Sequence, residues 1–556
     1  MEIFDQIIAW LVDIIWNTPA EFPAMVAILL AFGVFITFRL GFIQVRRFGH
    51  GIKVVSGFYD DPEDKGDITH FQALTTALSA TVGIGNIAGV AYAIHIGGPG
   101  ALFWMWVTAV LGMAIKFTEV TLAQEYRSTN EDGTVSGGPM YYIERGLGSN
   151  WKWLAVAFAI SAAICAFLTG NAVQANTVAD TMQTDFQIPL WLTGMVTAGI
   201  VGAVILGGIK RIGRVTSKLV PIMAAFYVLG ALIILLINYD AIIPAFATII
   251  GSAFNPTAGA LGVGSGALII TLSFGVQRGI FSNEAGQGSA PIAHSAAKTD
   301  EPVREGVVAL LEPFIDTLVI CTMTGLVIVS TGSWDMHHKS QINPKTDSFS
   351  YTLSGQASNS DAPVLYFSEG VPENGAMLHY NATVDTMFTD SEYSQPFTGR
   401  IQLNPTSNDT IYTASRVSSE DGTQLSTMYG GVVQNSAPLT SAAFERGLAP
   451  LFPGGGFIVT FAVLLFAIST SISWSYYGDR AAQYLFGFKS IFWYRLVFVG
   501  MHFLGAVATL ATVWAFGDVM LGLMAFFNIF ALFLLSGKAY KITKAYFSKD
   551  HENPES

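Results

Sequence analysis

Apolar runs of about 20 residues recur along nearly the whole chain, each long enough to cross the hydrocarbon layer of a membrane as a helix. Lipid offers no partner to a backbone amide or carbonyl, so a chain made of such runs is confined to helices packed side by side. Eleven spans are predicted, near 22–40, 71–95, 100–123, 153–179, 189–207, 217–238, 257–281, 304–332, 455–478, 490–514 and 517–537. Charged residues make up only 12% of the chain, about half the share usual in a soluble domain. The chain is read as a polytopic, all-α membrane protein.

Lys and Arg fall in alternate loops, from Arg39 to Lys53, Arg127 to Lys152, Lys210 to Lys218, Arg278 to Arg304, Arg480 to Arg495 and Lys538 to Lys544. The positive-inside rule puts those loops in the cytoplasm, with an external N-terminus and a cytoplasmic C-terminus. The start, "MEIFDQIIAWLVDIIWNTPAEF", has neither a basic beginning nor a small-residue cleavage site, so it reads as an interfacial amphipathic segment rather than a signal peptide. Cys165 and Cys321 sit inside spans and read as small core residues.

Between 333 and 445 the composition turns polar, and runs such as "DSFSYTL", "RIQLN" and "TIYTAS" alternate as strands do. A small external β-rich domain is expected there, and it carries much of the net charge of −12. Asn381 and Asn408 open glycosylation sequons, read as chance matches in a Thr-rich stretch. The resulting divisions are 1–45 for the amphipathic segment and an extra helix, 70–238 for a first set of five helices, and 257–332 with 446–538 for a second set. The insertion 333–445 and a tail at 539–556 complete the chain.

Two spans are interrupted by glycine. "TALSATVGIGNIAGVAYAIHIGG" opens the first set of five, and "TLSFGVQRGIFSNEAGQGSAP" (271–291) closes the span that opens the second. Because five is odd, the two sets enter the membrane from opposite sides, an inverted repeat. Interrupted spans at matching positions of such halves point to a transporter's binding site. Half-helix N-termini suit an anion such as a carboxylate, and freed carbonyls with hydroxyls suit a hard cation such as sodium. Close helix packing is the competing account of the same glycines.

Other polar residues sort by the same test. "TGNAVQANTVAD" sets Asn171 and Gln174 on one face, as site residues or as interhelical glue. "FAISTSISWSYYGD" offers Ser469, Thr470, Ser471 and Ser473 with Trp474, as a cation shell with an aromatic wall or as hydroxyls bonded back to their own helix. Lys116 is expected to pair with Glu119. Glu312 and Asp316 are intramembrane carboxylates, functional candidates or partners of the chain around Pro313. HExxH, GxSxG and P-loop patterns are missing, which argues against a membrane enzyme. The basic residues form no nucleic-acid surface.

The stretches "SATVGIGNIAGVA", "GGPMYYIERGLG", "GNAVQANTVA", "RGIFSNEAGQGSAPIAHSAAKTDEPVREG" and "SISWSYYGDRA" together closely resemble the alanine/glycine:cation symporter family, from about 20 to 333 and from 445 to 540. That resemblance implies a leucine-transporter-type 5+5 inverted repeat with one extra N-terminal helix. It also implies sodium-coupled uptake of a small neutral amino acid, alanine or glycine, across a bacterial inner membrane, with sodium as coupling ion and no other cofactor. Carried over, Thr81, Gly83 and Gly85 would meet the carboxylate, and Phe274, Gly275 and Gly279 the amine and side chain. Asn171 and Gln174 would add polar contacts, and Thr470 and Trp474 would close the pocket. Sodium would sit on Ser79, Val82, Ala467, Thr470 and Ser471, with Asn86 as a second cation or substrate ligand. The insertion departs from the family pattern. Two alternatives remain at this point: a proton-coupled transporter acting through Asp316, and a receptor whose insertion binds the ligand.

Overall fold

The computed structural model describes residues 2–549 apart from 20–21, 62, 132, 256–265, 343–347, 353–363, 374–376, 380–383, 406–411 and 509–510. Asn381 and Asn408 therefore lie outside the described residues, as does the start of the span expected at 257–281.

Seven helices among the described residues are long and apolar enough to cross a membrane: Ala101–Glu125, Ser149–Phe186, Gly208–Ile237, Pro302–Ser330, Gly456–Phe486, Ser490–Val507 and Val513–Phe547. His70–Thr81 and Gly85–Gly97, bent 53° apart, make an eighth if counted as one span. Ala24–Arg39 and Leu190–Ile205 are shorter apolar helices, and Gly266–Asn283 carries the start of the second half. Tyr239–Phe254 is a helix where no span was predicted. Asn238, Asp240 and Pro244 break up its apolar run in the sequence.

The surface and interior reverse the arrangement of a soluble protein. Leu236, Ile243 and Trp493 stand 73%, 80% and 65% exposed, while Lys116, Glu312 and Asp316 are fully buried. Lipid on the outside, and charge that is paired or hydrogen-bonded on the inside, account for both. Gly456–Phe486 runs through the centre, packed on His70–Thr81, Ser149–Phe186 and Gly208–Ile237. The N-terminal helix Glu2–Val12 packs along Ala511–Phe547. Trp16, a turn beyond it, donates from Nε1 to the Asp518 carbonyl at 3.0 Å.

The first break follows from local chemistry. Thr69 and Gln72 form a capping box that starts helix His70–Thr81. The helix ends at Val82, whose ψ of 86° leaves the helical region, and Gly83 and Gly85 lower the cost of the departure. A wide π turn, Gly85–Gly89, then leads into Val90–Gly97.

The second break does not fall where Gly275 and Gly279 stand, because Gly266–Asn283 passes through both as one helix. A Cβ on Gly275 would lie 2.4 Å from the Ala101 carbonyl oxygen, and one on Gly279 would lie 3.1 Å from Thr108 Cβ. Both glycines bring this helix close to Ala101–Glu125, the packing account of such residues. The chain breaks just after, where Glu284, Gly286 and Gly288 take φ of 55°, 86° and 79° before the short helix Ala290–His294.

Residues 337–433 form strands, all antiparallel where paired. One sheet orders them 371–372, 364–368, 399–405, 412–419, 348–352, 377–379, and a second 337–342, 428–433, 384–388. They share a core of their own that includes Phe367, Phe397, Ile401 and Val417. The described parts of the strand-like runs, 348–352, 400–404 and 412–415, lie within these strands. The end of the expected insertion differs. Ser436–Leu448 is a helix packed on the transmembrane body, where Thr440 Oγ1 donates to the Ile87 carbonyl at 3.0 Å.

Candidate functional site

A cavity of about 880 Å³ runs from buried Thr81, Gly83 and Thr470 to exposed Asp180, Thr184 and Asp185. Its floor lies where the first break meets the middle of Gly456–Phe486. The missing side chain of Gly83 makes that meeting possible, since a Cβ there would stand 2.6 Å from Thr470 Oγ1. Beside it the helices are stitched by Ser79 Oγ, which donates to the Ser469 carbonyl at 2.7 Å.

The serine and threonine run at 469–475 divides into two kinds. Ser469 and Ser475 bond back to their own helix, donating to the Phe466 and Ile472 carbonyls at 2.8 and 2.6 Å. The hydroxyls of Thr470, Ser471 and Ser473 are buried with no hydrogen-bond partner among the described residues. A buried hydroxyl without a partner costs about 1–3 kcal/mol, and of these three Thr470 lines the cavity.

Asn86 braces the break from behind. Its Oδ1 accepts from the Gly83 amide at 2.8 Å, and its Nδ2 donates to Asp316 Oδ1 at 2.6 Å and Ser282 Oγ at 3.1 Å. Ser282 and Thr317 also donate to Asp316 Oδ2, at 2.6 and 2.7 Å. One buried carboxylate thus ties the first break to the end of the helix before the second. Asn86 does not line the cavity, and its amide group is committed to this brace.

Trp474 forms part of the wall. Its Nε1 donates to Glu284 Oε1 at 3.1 Å, and its ring presses on Gly170, where a Cβ would lie 2.5 Å from Trp474 Cγ. Gly170 belongs to a second π turn, Leu168–Ala172. From the helix beyond it, Gln174 lines the cavity and donates to the Thr169 carbonyl at 3.1 Å, leaving its Oε1 without a partner among the described residues. Five carboxylates line the cavity (Asp180, Asp185, Glu284, Glu445 and Asp518) against one basic group, Arg278. Such a balance concentrates cations in the opening. Arg278 lies over Tyr92 at 4.6 Å and Phe281 at 5.3 Å.

Of the residues expected at a substrate site, Thr81, Gly83, Gly85, Gln174, Thr470 and Trp474 meet around this cavity. Asn171, Phe274, Gly275 and Gly279 are not among its lining residues. Asn171 is interhelical glue, donating to the Phe498 carbonyl at 2.8 Å with its Oδ1 2.7 Å from His502 Nδ1. Phe274 stands one layer back, edge-on to Tyr92 at 5.9 Å. Ser79, Val82, Ala467 and Ser471 are buried just behind lining residues on the same two helices. Glu284, Arg278 and Asp518 were not expected. A charge in an apolar span is the signal that could have found them, the same one that marks Lys116, Glu119, Glu312 and Asp316 in the sequence.

The sequence model of the sodium:alanine symporter family matches residues 1–366 and 413–556. The unmatched part, 367–412, is narrower than the insertion expected from composition, and the strands 337–342 and 428–433 lie within the match. The sodium/alanine symporter AgcS of Methanococcus maripaludis is 41% identical over 527 residues, 94% of each chain. The sodium/proton-dependent alanine carrier protein YrbD of Bacillus subtilis, assigned by name as putative, is 32% identical over 97% of this chain and 92% of its own. The probable sodium/glutamine symporter GlnT of the same organism is 31% identical over 98% and 91%.

Proposed function

This chain belongs to the sodium:alanine symporter family, and from that premise we propose that it couples inward sodium movement to uptake of a small neutral amino acid, alanine or glycine. Its relatives are transporters rather than enzymes, and its apolar helices make it an integral membrane protein. The observation that carries the reading is the hydroxyl of Thr470 beside the break at Gly83, with that of Ser471 next to it in the chain, both buried without a hydrogen-bond partner among the described residues. With the carbonyls of Ser79, Val82 and Ala467 they offer the all-oxygen shell a hard cation takes. The amino acid lies above it, its carboxylate at the Thr81–Gly85 end and its side chain toward Trp474.

In this reading there are eleven spans, the eight above plus Ala24–Arg39, Leu190–Ile205 and Gly266–Asn283. Beyond the first, they form two inverted sets of five in a leucine-transporter-type arrangement. The N-terminus and the strand-rich insertion are external, and the membrane is the inner membrane of a bacterium. The cavity then opens outward at Asp180 and Asp185.

Purified protein in liposomes should accumulate alanine under an inward sodium gradient and stop when choline replaces sodium. Uptake that persists in choline would reject sodium coupling. Thr470→Ala and Ser471→Ala should each remove an ion-binding oxygen worth about 1.5 kcal/mol, raising the half-saturating sodium concentration about tenfold. Gly170→Ala should push Trp474 out of the wall, and such overpacking costs about 1–3 kcal/mol. Equilibrium binding of alanine should weaken about tenfold, and an unchanged Kd would remove Trp474 from the pocket.

A further inference from the structure

Six carboxyl side chains are buried among the described residues: Glu119, Glu284, Glu305, Glu312, Asp316 and Asp479. Three of them face basic groups. Glu312 meets His294, and Lys116 Nζ at 2.8 Å. Glu305 meets His70 and His294, and Asp479 meets Arg480 at 2.8 Å and Arg495 at 2.6 Å. Lys116 thus pairs with Glu312 and not, as its spacing suggested, with Glu119, which accepts from Asn528 Nδ2 at 3.0 Å. Asp316 accepts from Asn86, Ser282 and Thr317. Glu284 has no Lys, Arg or His within ion-pair distance among the described residues, and of the six it is the one that lines the cavity.

Three features make an uncompensated charge at Glu284 costly. Burial disfavours a carboxylate whose hydrogen-bond partners are neutral. Here they are Trp474 Nε1, which donates to Oε1 at 3.1 Å, and Ser289 Oγ, which donates to Oε2. Glu284 also directly follows helix Gly266–Asn283, at the negative end of its dipole. Its φ of 55° lies in the left-handed region, which side chains other than Asn and Asp seldom take. Lys116, whose field reaches Glu284, is held by Glu312. A glutamine could accept from Trp474 and Ser289 equally well without the first two costs. The negative charge therefore has no partner inside the protein, and it borders the cavity.

Its place matches the one end of the substrate still without a partner. A Cβ on Gly85 would lie 3.7 Å from Ser282 Cα and 4.0 Å from the Phe281 carbonyl oxygen. The two breaks therefore meet two and three residues before Glu284. Trp474, bonded to Glu284, is about one helical turn from Thr470 on Gly456–Phe486. In the arrangement above, the amino acid's carboxylate lies at the Thr81–Gly85 end and its side chain toward Trp474. The ammonium remains. Phe274, Gly275 and Gly279, expected to meet it, lie outside the lining.

We propose that Glu284 is the specificity-determining partner of the substrate's ammonium group, so that it selects amino acids over other small carboxylic acids. The proposal rests on the symporter reading. A carboxylate oxygen that has accepted one hydrogen bond keeps a lone pair for another, and the ammonium supplies a charge-assisted donor. The zwitterion then has both charges met, the carboxylate at the first break and the ammonium at the second. A hydroxy acid of the same size brings the carboxylate alone and leaves two negative charges across one cavity floor. Sodium is the other cation that could answer Glu284, and the test separates the two.

The test is equilibrium binding to purified full-length protein at saturating sodium, with alanine and with lactate, in which a hydroxyl replaces the amino group. Wild type should bind alanine and reject lactate. Glu284→Gln keeps acceptors for Trp474 and Ser289 and removes the charge. It should bind alanine about tenfold or more weakly and lactate more tightly than wild type does. A merely structural role would weaken both, so parallel changes, or none, would overturn the proposal and leave the symporter reading intact. A raised half-saturating sodium concentration with an unchanged alanine-to-lactate ratio would assign Glu284 to the ion and overturn it too. If Glu284→Gln does not fold, carbodiimide labelling of Glu284 in wild type, read by mass spectrometry, takes its place. Alanine should block the labelling, and blocking by sodium alone would overturn the proposal. Absence of sodium-dependent alanine binding in wild type would overturn the symporter reading and the proposal with it.

Discussion

Gly83→Ala is expected to lower sodium-driven alanine uptake about ten- to a hundredfold, the equivalent of an overpacking cost of about 1–3 kcal/mol. The added methyl would stand 2.6 Å from Thr470 Oγ1 and 3.7 Å from Thr470 Cβ. The hydroxyl must turn away or the two helices must part, and either removes an oxygen from the proposed ion site. The half-saturating sodium concentration should rise with the loss of rate, which separates a damaged site from poor folding. Gly89→Ala is the matching control. It lines the same cavity, its φ is an ordinary −67°, and a Cβ there meets nothing within 4 Å. It should transport like the wild type, and Gly83→Ala doing the same would place the site elsewhere.

The second large effect is on stability. Lys116→Met leaves Glu312 buried with His294 as its remaining charged partner, and breaking a buried pair from one side costs about 3–5 kcal/mol. The variant should show a markedly lower Tm in detergent or fail to yield monodisperse protein. Lys116→Met combined with Glu312→Gln removes both charges, and replacing a whole buried pair is far less damaging than halving it. The double variant should recover most of the lost Tm. If the single variant is as stable as wild type, the pair does not hold this part of the fold.

Much of the fold was legible because lipid permits so little. The long apolar helices followed from the length of apolar runs, the first break from a Gly-X-Gly stretch at the middle of one of them, and the strands from alternation in a polar segment. The second break was harder, since Gly275 and Gly279 read in sequence much as Gly286 and Gly288 do. Only their neighbours separate them. The first pair lies against Ala101 and Thr108, and the second takes positive φ beside Glu284. Asn171 and Gln174 share a helix face, yet Asn171 is claimed by His502, 331 residues away. Lys116 likewise has a near neighbour in Glu119 and a true partner in Glu312. Spacing along a helix identifies residues able to meet, and tertiary packing decides between them.

The two π turns in the cavity wall, Gly85–Gly89 and Leu168–Ala172, have a consequence at the level of the gene. A π turn holds about one residue more than an α turn, and one residue is about 100° of rotation around a helix. Each helix therefore packs with one face before the turn and presents another after it. Removing a single codon within 168–172 would restore the α pitch and swing Gln174 and Thr177 away from the cavity they line. The walls of this site stand one-residue insertions apart from ordinary packed helices.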